Sequence, residues 1–415
     1  MIMPQEHNRP SAYKAYSDKN LKLARIYIPC SLIIFGTAFQ PFLGDDNRNF
    51  LLIGFMAISP LIFLFRYIVQ DFFLLLFCLS IIIIQPLANP ESIRWSTIFF
   101  TLMFSLSYTA YQNLLKETRF KIESFIFIVR SLMYAFIIVY LIQQVSVLVG
   151  FTIINESNYS ITQKWKLNSL SAEASHAARI INILMFSYIS LEELRRGENY
   201  SFKIHFWNDR YLIIGYLWMC LTMQSTTALI FLIIVLMKVL KVNIIPLLTA
   251  SAFLVIILIT LSSGEITYRF LNFVQAFSTF DYVILMEMDH SGSLRIAPLL
   301  VLSDLIDPFS FKGLFGHGID SVSAFMSNYI SGVHKGYTGG GMLRVWYEYG
   351  FFTTAFFIVF TLRVTASLKS ISYFLFWLNI VFVGGPNNQI VWMYIMLFSS
   401  LIFFQKQSCQ KRFDK

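Results

Sequence analysis

Three ionisable residues stand close together where an apolar segment begins, in the stretch LNSLSAEASHAARIINILMF. Glu173, His176 and Arg179 are spaced by three residues, so on a helix they would lie within an arc of about 120°, on one face. A partly buried carboxylate there could take a proton from a hydroxyl, and a guanidinium could hold a phosphate oxygen. The other interpretation is an ordinary helix start, with Ser171 as the cap and the charged side chains reaching to the membrane interface.

A second candidate lies in SGSLRIAPLLVLSDLI, which reads as an amphipathic helix over 293–306 with Arg295 in its first turn. At lipid headgroup depth, Arg295 could bind a pyrophosphate attached to a lipid, or could simply anchor the helix to phospholipid. The apolar residues of this helix could lie on the membrane surface; they are Ile296, Leu299, Leu300 and Leu302.

Further polar residues follow in glycine-rich surroundings. His317 lies in FKGLFGHGIDS, whose glycines allow a sharp turn but match no phosphate-binding loop, and His334 lies in SGVHKGYTGGG. Either histidine could reach a substrate or be a bystander. Glu348, in GGGMLRVWYEYGFF, could be a site residue or could pair with Arg344 at i, i+4. The QSTT run at 224–227 could hydrogen-bond sugar hydroxyls or cap a helix.

Composition places these residues in a membrane protein. The chain has 415 residues, of which 56% are hydrophobic and 13% charged, and its mean hydropathy is +0.63. A soluble protein could not bury that much apolar surface. The net charge of +9 comes from basic residues that flank apolar runs, which indicates membrane orientation and argues against nucleic acid as a partner.

The apolar runs predict an all-α polytopic protein with about twelve transmembrane helices, each needing roughly 20 residues. The segment 210–240 is divided in two, because a single helix would measure about 46 Å. Twelve spans place both termini and most basic residues in the cytoplasm. The predicted spans are 26–43, 50–66, 72–87, 95–112, 125–148, 173–191, 210–223, 226–240, 244–262, 345–362, 370–385 and 390–405.

We expect a single membrane domain, 1–415, with a large extracytoplasmic loop, 263–344, inserted between helices 9 and 10. A shorter loop on the same side covers 154–172. The first apolar run is expected to be a retained helix, not a cleaved signal. The four cysteines suggest neither a disulfide framework nor a metal cluster.

Four of these stretches together resemble a known family: the bacterial O-antigen and capsule repeat-unit polymerases, called Wzy proteins, which share a superfamily with the O-antigen ligases. SLSAEASHAA resembles the start of a central helix, and LTMQSTTALI the turn between two short helices. SGSLR with GLFGHG resembles the arginine segment and Gly-x-Gly turn of the large loop, and MLRVWYEYGFF the Glu-x-Gly entry to the next helix. The chain departs from the pattern at Gly339, which stands where relatives often have a His-Asn pair.

The resemblance implies a reaction at the periplasmic face of the inner membrane. A growing glycan leaves its undecaprenyl pyrophosphate and joins an incoming lipid-linked repeat unit. Glu173 is the first candidate for the base that activates the acceptor hydroxyl, and His176 is the second. Arg179 and Arg295 would stabilise the departing pyrophosphate. Substrate binding would fall to His317, His334 and Glu348. We expect no cofactor and no metal, and the bilayer as a further partner; a chain-length regulator protein could bind as well, which the sequence does not decide.

Two other functions fit parts of the sequence. An O-antigen ligase, which transfers finished glycan to lipid A-core, would use the same lipid donor and similar arginines. A lipid-linked oligosaccharide flippase would be expected to show internal repeats and buried charge along a path, and neither is visible here.

Overall fold

The structure is a computed structural model that describes most of the chain. It covers residues 31–39, 71–116, 121–156, 159, 163–240, 279, 281–288, 294, 296–330, 332–333 and 335–413. The predicted spans 50–66 and 244–262, and half of 26–43, lie outside these residues.

The described part of the chain is all-helical and contains no β-strand, which confirms the all-α part of the prediction. Short π-helical stretches, Ser80–Ile84 and Leu378–Phe382, continue α2 and α15. The α-helices are α1 (31–38), α2 (Phe72–Leu79), α3 (Gln85–Ala88), α4 (Trp95–Lys116), α5 (Ile122–Val149), α6 (Ala174–Arg196), α7 (Phe202–Asn208), α8 (Arg210–Thr222), α9 (Thr226–Leu240), α10 (Tyr282–Met288), α11 (Ala297–Leu305), α12 (Phe311–Phe315), α13 (Val322–Tyr329), α14 (Gly341–Val364), α15 (Ile371–Trp377) and α16 (Gln389–Phe413).

Within the described residues, three helices are long and apolar enough to cross a membrane: Ile122–Val149, Gly341–Val364 and Gln389–Cys409. Four apolar helical segments are shorter: Phe72–Ala88, Arg210–Thr222, Thr227–Leu240 and Ile371–Phe382. The division of 210–240 is confirmed, because α8 ends at Thr222 and α9 begins at Thr226. Gln224 has a φ of 50° in the tight turn between them.

Paired contacts fix the directions of the helices. Thr101 Oγ1 donates a hydrogen bond to Asn387 Oδ1 at 2.9 Å, near the starts of α4 and α16. Further along both helices, the Tyr111 hydroxyl lies 2.6 Å from Ser400 Oγ. α4 and α16 therefore run parallel.

The contacts Arg130–Asp209 and Tyr140–Thr222 show that α5 runs parallel to α8. The contacts Tyr188–Asp209 and Tyr216–Asn182 show that α6 runs antiparallel to α8. The contacts Gln85–Tyr349 and Phe77–Phe357 show that α14 runs antiparallel to α2. We call the end where α6, α14 and α16 begin the loop end, and the opposite end, where Lys116, Arg363 and Lys406 lie, the tail end.

Aromatic packing forms the centre of the bundle. Trp392 of α16 is fully buried, and the rings of Phe104, Tyr108, Phe357 and Phe360 surround it at centroid distances of 5.9 to 6.3 Å. Buried aromatic side chains contribute large apolar contact areas, so this cluster joins α4, α14 and α16 into one unit.

The segment before α6 folds back along α5 instead of extending away from the bundle. The Gln143 side chain donates to the Ile154 carbonyl and to Asn168 Oδ1, and it accepts from the Ser169 amide at 2.8 Å. Ser169 Oγ donates to the Phe136 carbonyl at 2.6 Å. Since α5 continues for 13 residues beyond Phe136, roughly 20 Å, α6 begins below the tip of α5.

A small second core holds the described part of the segment between α9 and α14. It contains Met286, Ala297, Val301, Leu302, Val322, Met326 and Ile330. Leu302, expected on the membrane surface, is fully buried, and Leu299 and Leu300 are half-buried. The expectation of a membrane-facing α11 is therefore wrong for Leu302, because α10 and the start of α14 pack against α11.

Candidate functional site

Glu348 is the buried acid of the loop end. Its side chain is 0% exposed, and Arg344 Nε lies 3.8 Å from Glu348 Oε2. Neither carboxylate oxygen of Glu348, nor Arg344 Nε, has a hydrogen-bond partner within the described residues. The backbone amides of Asp320 and Val322 face the carboxylate. Both sequence interpretations of Glu348 therefore stay compatible: it pairs with Arg344, and it keeps unused hydrogen-bonding capacity in a buried place.

A break in α14 explains why the glycine-rich turn packs here. Gly350 has φ 83° and ψ 168°, which is not helical. In an unbroken helix the carbonyls of residues 347 and 348 would accept the amides four residues later. Here the amides of His317 and Gly318 reach those carbonyls, at 2.9 and 3.2 Å.

The contact between the turn and the helix is backbone against backbone. A Cβ atom on Gly316 would overlap the Glu348 carbonyl, and one on Gly350 would overlap the Leu314 carbonyl. Gln85 Nε2 bridges the two segments, donating to the carbonyls of Phe315 at 3.0 Å and Tyr349 at 2.9 Å. The GLFGHG and EYG stretches, which are distant in sequence, therefore form one unit beside Glu348.

His317 takes part in the packing of this unit. Its ring stacks on Tyr347 with centroids 3.9 Å apart, and Nδ1 donates to the Tyr347 carbonyl at 3.2 Å. Burial lowers the pKa of His317; the hydrogen bond to the Tyr347 carbonyl opposes this, and the charge of Lys312 adds to it. A neutral ring that donates through Nδ1 leaves Nε2 as an acceptor.

Two further residues, which the sequence did not single out, border this pair: Asp320 lies beside Glu348 and Gly385 beside Arg344. Asp320 accepts a hydrogen bond from Thr97 Oγ1 at 2.7 Å and lies 3.8 Å from Arg94. Gly385, just before Asn387, lies beside Arg344: a Cβ there would be 3.9 Å from Arg344 Nη2. Local patterns could not reveal these positions, because Asp320 comes from the turn before α13 and Gly385 from the turn before α16.

Glu173, His176 and Arg179 occupy the first turns of α6. Glu173 is the N-cap, and its carboxylate accepts a hydrogen bond from Ser175 Oγ at 3.0 Å. Its side chain is exposed, so the expected partial burial is wrong: the inward positions beside it belong to Ala172 and Ala174. Ser171, the cap expected in the other interpretation, is buried. His176 and Arg179 are half-buried.

The start of α6 lies at the same height as the polar turn before α16. Phe186 stacks on Phe398 with centroids 5.3 Å apart. Counting back from this stack at 1.5 Å per residue gives about 18 Å to the start of α6 and about 14 Å to the start of α16. Glu173, Asn387 and the first turn of α14 therefore share the loop end.

Arg295 and His334 lie outside the described residues, so their predicted roles stay predictions. Among the residues that the structure does describe, no group of three or more His, Cys, Asp or Glu side chains could hold a metal ion.

A comparison with protein-family models, curated proteins and solved structures finds no match to this chain. The resemblance to the repeat-unit polymerases therefore rests on the sequence stretches themselves.

Proposed function

We propose that this protein is a polysaccharide polymerase of the bacterial inner membrane. It joins polyprenyl-pyrophosphate-linked oligosaccharide repeat units on the periplasmic side, with about twelve spans and both termini in the cytoplasm. The observation that carries the proposal is the meeting of separate stretches at one end of the bundle. The Gly-x-Gly turn, the Glu-x-Gly break and the start of α6 all belong to the loop end.

The proposed chemistry uses groups of that end. The exposed Glu173 carboxylate accepts the proton of an acceptor hydroxyl, while the hydroxyl oxygen forms a bond to the sugar carbon that carries pyrophosphate. The bond from that carbon to the pyrophosphate oxygen breaks, and the pyrophosphate leaves on its lipid. Arg179 and Arg295 stabilise the negative charge of the leaving group. Arg344, held beside the buried Glu348, adds a third cation to this end.

The decisive experiment is to compare surface polysaccharide by gel in strains with and without the protein. A product that stops at one repeat unit, still attached, supports polymerase activity. Loss of all attached glycan, with long lipid-linked polymer accumulating, would instead identify a ligase. Single units trapped on the cytoplasmic side would identify a transporter.

Point variants test the proposed site. The double variant Glu173→Ala, Arg179→Ala should abolish polymer longer than one unit at equal protein level. The double variant Glu156→Ala, Lys166→Ala is the matched control, because both residues are exposed and precede α6. Normal polymer length in the first variant would contradict the assigned roles of Glu173 and Arg179.

A further inference from the structure

A cavity of about 270 Å³ opens at the tail end, between α2, α4, α14 and α16. Three basic side chains line it: Lys116, Arg363 and Lys406. They come from the ends of three helices that are far apart in the sequence. This cavity lies at the opposite end of the bundle from Glu348, and the proposed polymerase chemistry makes no use of it.

Within the part of the chain that the structure describes, no acidic side chain neutralises these three cations. None of them forms an ion pair with a described residue, whereas Arg130, Arg195, Arg196 and Lys238 at the same end all do. Lys116 and Lys406 are close enough to repel each other. Like charges around one cavity repel each other, and an anion between them relieves this repulsion, so the cavity favours a negatively charged occupant.

The acid that lines the cavity is already engaged. Asp71 Oδ1 accepts the backbone amides of Phe73 and Leu74, at 3.0 and 3.2 Å, as the N-cap of α2. It forms no ion pair with a described residue. Arg363 instead lies over the Phe73 ring, 5.9 Å from its centroid. The cavity therefore keeps a positive balance despite the presence of Asp71.

Polar groups extend inward from the charged rim. Gln112 Nε2 donates to Ser399 Oγ at 2.7 Å, and Tyr108 lies one turn deeper in the bundle, toward the start of α4. Tyr108 is about 12 Å from Lys116 along the helix axis. A ligand that carries hydroxyl groups beside its charge would find donors and acceptors at this depth, where an acyl chain would not.

We propose that this cavity binds a phosphate-bearing anion. The phosphoryl oxygens lie among Lys116, Arg363 and Lys406, and the polar substituent of the phosphate faces Gln112 and Ser399. Cations of this kind at a helix bundle end bind the headgroups of anionic lipids or soluble phosphate esters through the same contacts.

The test uses the full-length protein in neutral detergent and follows its unfolding temperature. The probes are phosphatidylglycerol, phosphatidylcholine as the zwitterionic lipid, and glycerol 3-phosphate as the soluble ester. We expect phosphatidylglycerol to raise the unfolding temperature in a saturable manner and phosphatidylcholine not to do so. Stabilisation by glycerol 3-phosphate as well would identify a soluble phosphate ester as sufficient; stabilisation by the lipid alone would identify a headgroup site.

The variant Lys116→Gln, Arg363→Gln, Lys406→Gln should need roughly tenfold more probe, or more, for the same effect. The control variant Lys121→Gln, Lys203→Gln, Arg210→Gln removes the same charge at exposed positions outside the cavity and should respond like the unmodified protein. The proposal is overturned if neither anionic probe stabilises the protein, or if the two triple variants respond equally. Loss of polymer in cells bears on the polymerase assignment alone, because this test measures binding.

Discussion

Glu348 and Arg344 are held together by burial more than by close contact. The distance of 3.8 Å between Arg344 Nε and Glu348 Oε2 is long for an ion pair, yet the exposed side-chain fractions are only 13% for Arg344 and 0% for Glu348. A charge in such a place needs its partner, because water cannot replace it. The pair therefore has two separable consequences, one for stability and one for the site.

We predict that Glu348→Leu alone lowers the free energy of unfolding by about 3 kcal/mol, since it leaves Arg344 without its partner. The double variant Arg344→Leu, Glu348→Leu should recover most of this loss, because apolar replacement of a whole buried pair is often neutral. Chemical unfolding in detergent measures both. Polymer formation should stay absent in the double variant; recovery of polymer would show that the pair is structural only.

His317 predicts a pH dependence of stability. Burial lowers the pKa of folded His317 below its ordinary 6.5, so the unfolded chain takes up the proton first as the pH falls. The contribution of neutral His317 to the free energy of unfolding is therefore constant above the ordinary pKa of 6.5 and is lost as the pH falls below 6.5. His205 adds a slope of the same sign, since burial lowers its pKa too.

The variant His317→Phe keeps the ring on Tyr347 and should show a shallower loss of unfolding temperature between pH 7.5 and 5. His205 is present in both proteins, so the difference between the pH slopes of their unfolding temperatures reports His317 alone. Identical slopes would contradict the lowered pKa of His317.

Residue types alone identified Glu173 and Glu348 as candidates but did not give the surroundings of either side chain. The sequence placed Glu173 partly buried, and the structure exposes it as the N-cap, because alanines occupy the inward positions of that turn. Glu348 is buried because a glycine-rich turn from another part of the chain covers it. Such cover depends on tertiary contacts, which spacing along one helix cannot reveal.

At the scale of elements, the meeting of the turn and α14 depends on glycine. Gly350→Ala should lower the free energy of unfolding by roughly 3 kcal/mol, because it combines strain at a positive φ with overlap on the Leu314 carbonyl. Gly150→Ala is the control: its φ is 77°, and no atom lies within 4 Å of the added Cβ. It should cost only the strain, about 1 kcal/mol. Unfolding in detergent checks the difference, and equal losses would contradict the close packing.

Apolar runs predicted the approximate positions of the long described helices, including the division of 210–240. Two features of the fold left no signal in these runs, for a common reason. The fold-back before α6 depends on Gln143 and Ser169, and the break of α14 on amides that come from residues 317 and 318. Both use long-range hydrogen bonds to the backbone, which leave no periodic signal in the local sequence.

For the whole molecule, the helix directions give a test of orientation. Cys409 is exposed on α16 at the tail end, and Lys335 is exposed at the loop end. We predict that a membrane-impermeant maleimide added from the periplasmic side labels Lys335→Cys and does not label Cys409. Both labelled proteins carry Cys30→Ala, Cys78→Ala and Cys220→Ala, and the Lys335→Cys protein also carries Cys409→Ala. The reverse labelling pattern would contradict a periplasmic loop end.

The two amides that reach α14 also bear on how the protein can move. The bonds from His317 and Gly318 to the carbonyls of Tyr347 and Glu348 join main chain to main chain, so the turn cannot swing away unless this part of α14 opens with it. Hydrogen exchange at these two amides should therefore be as slow as in the transmembrane core, despite their position in a loop. Under the proposed function, an opening for two lipid-linked chains therefore has to leave this backbone contact intact.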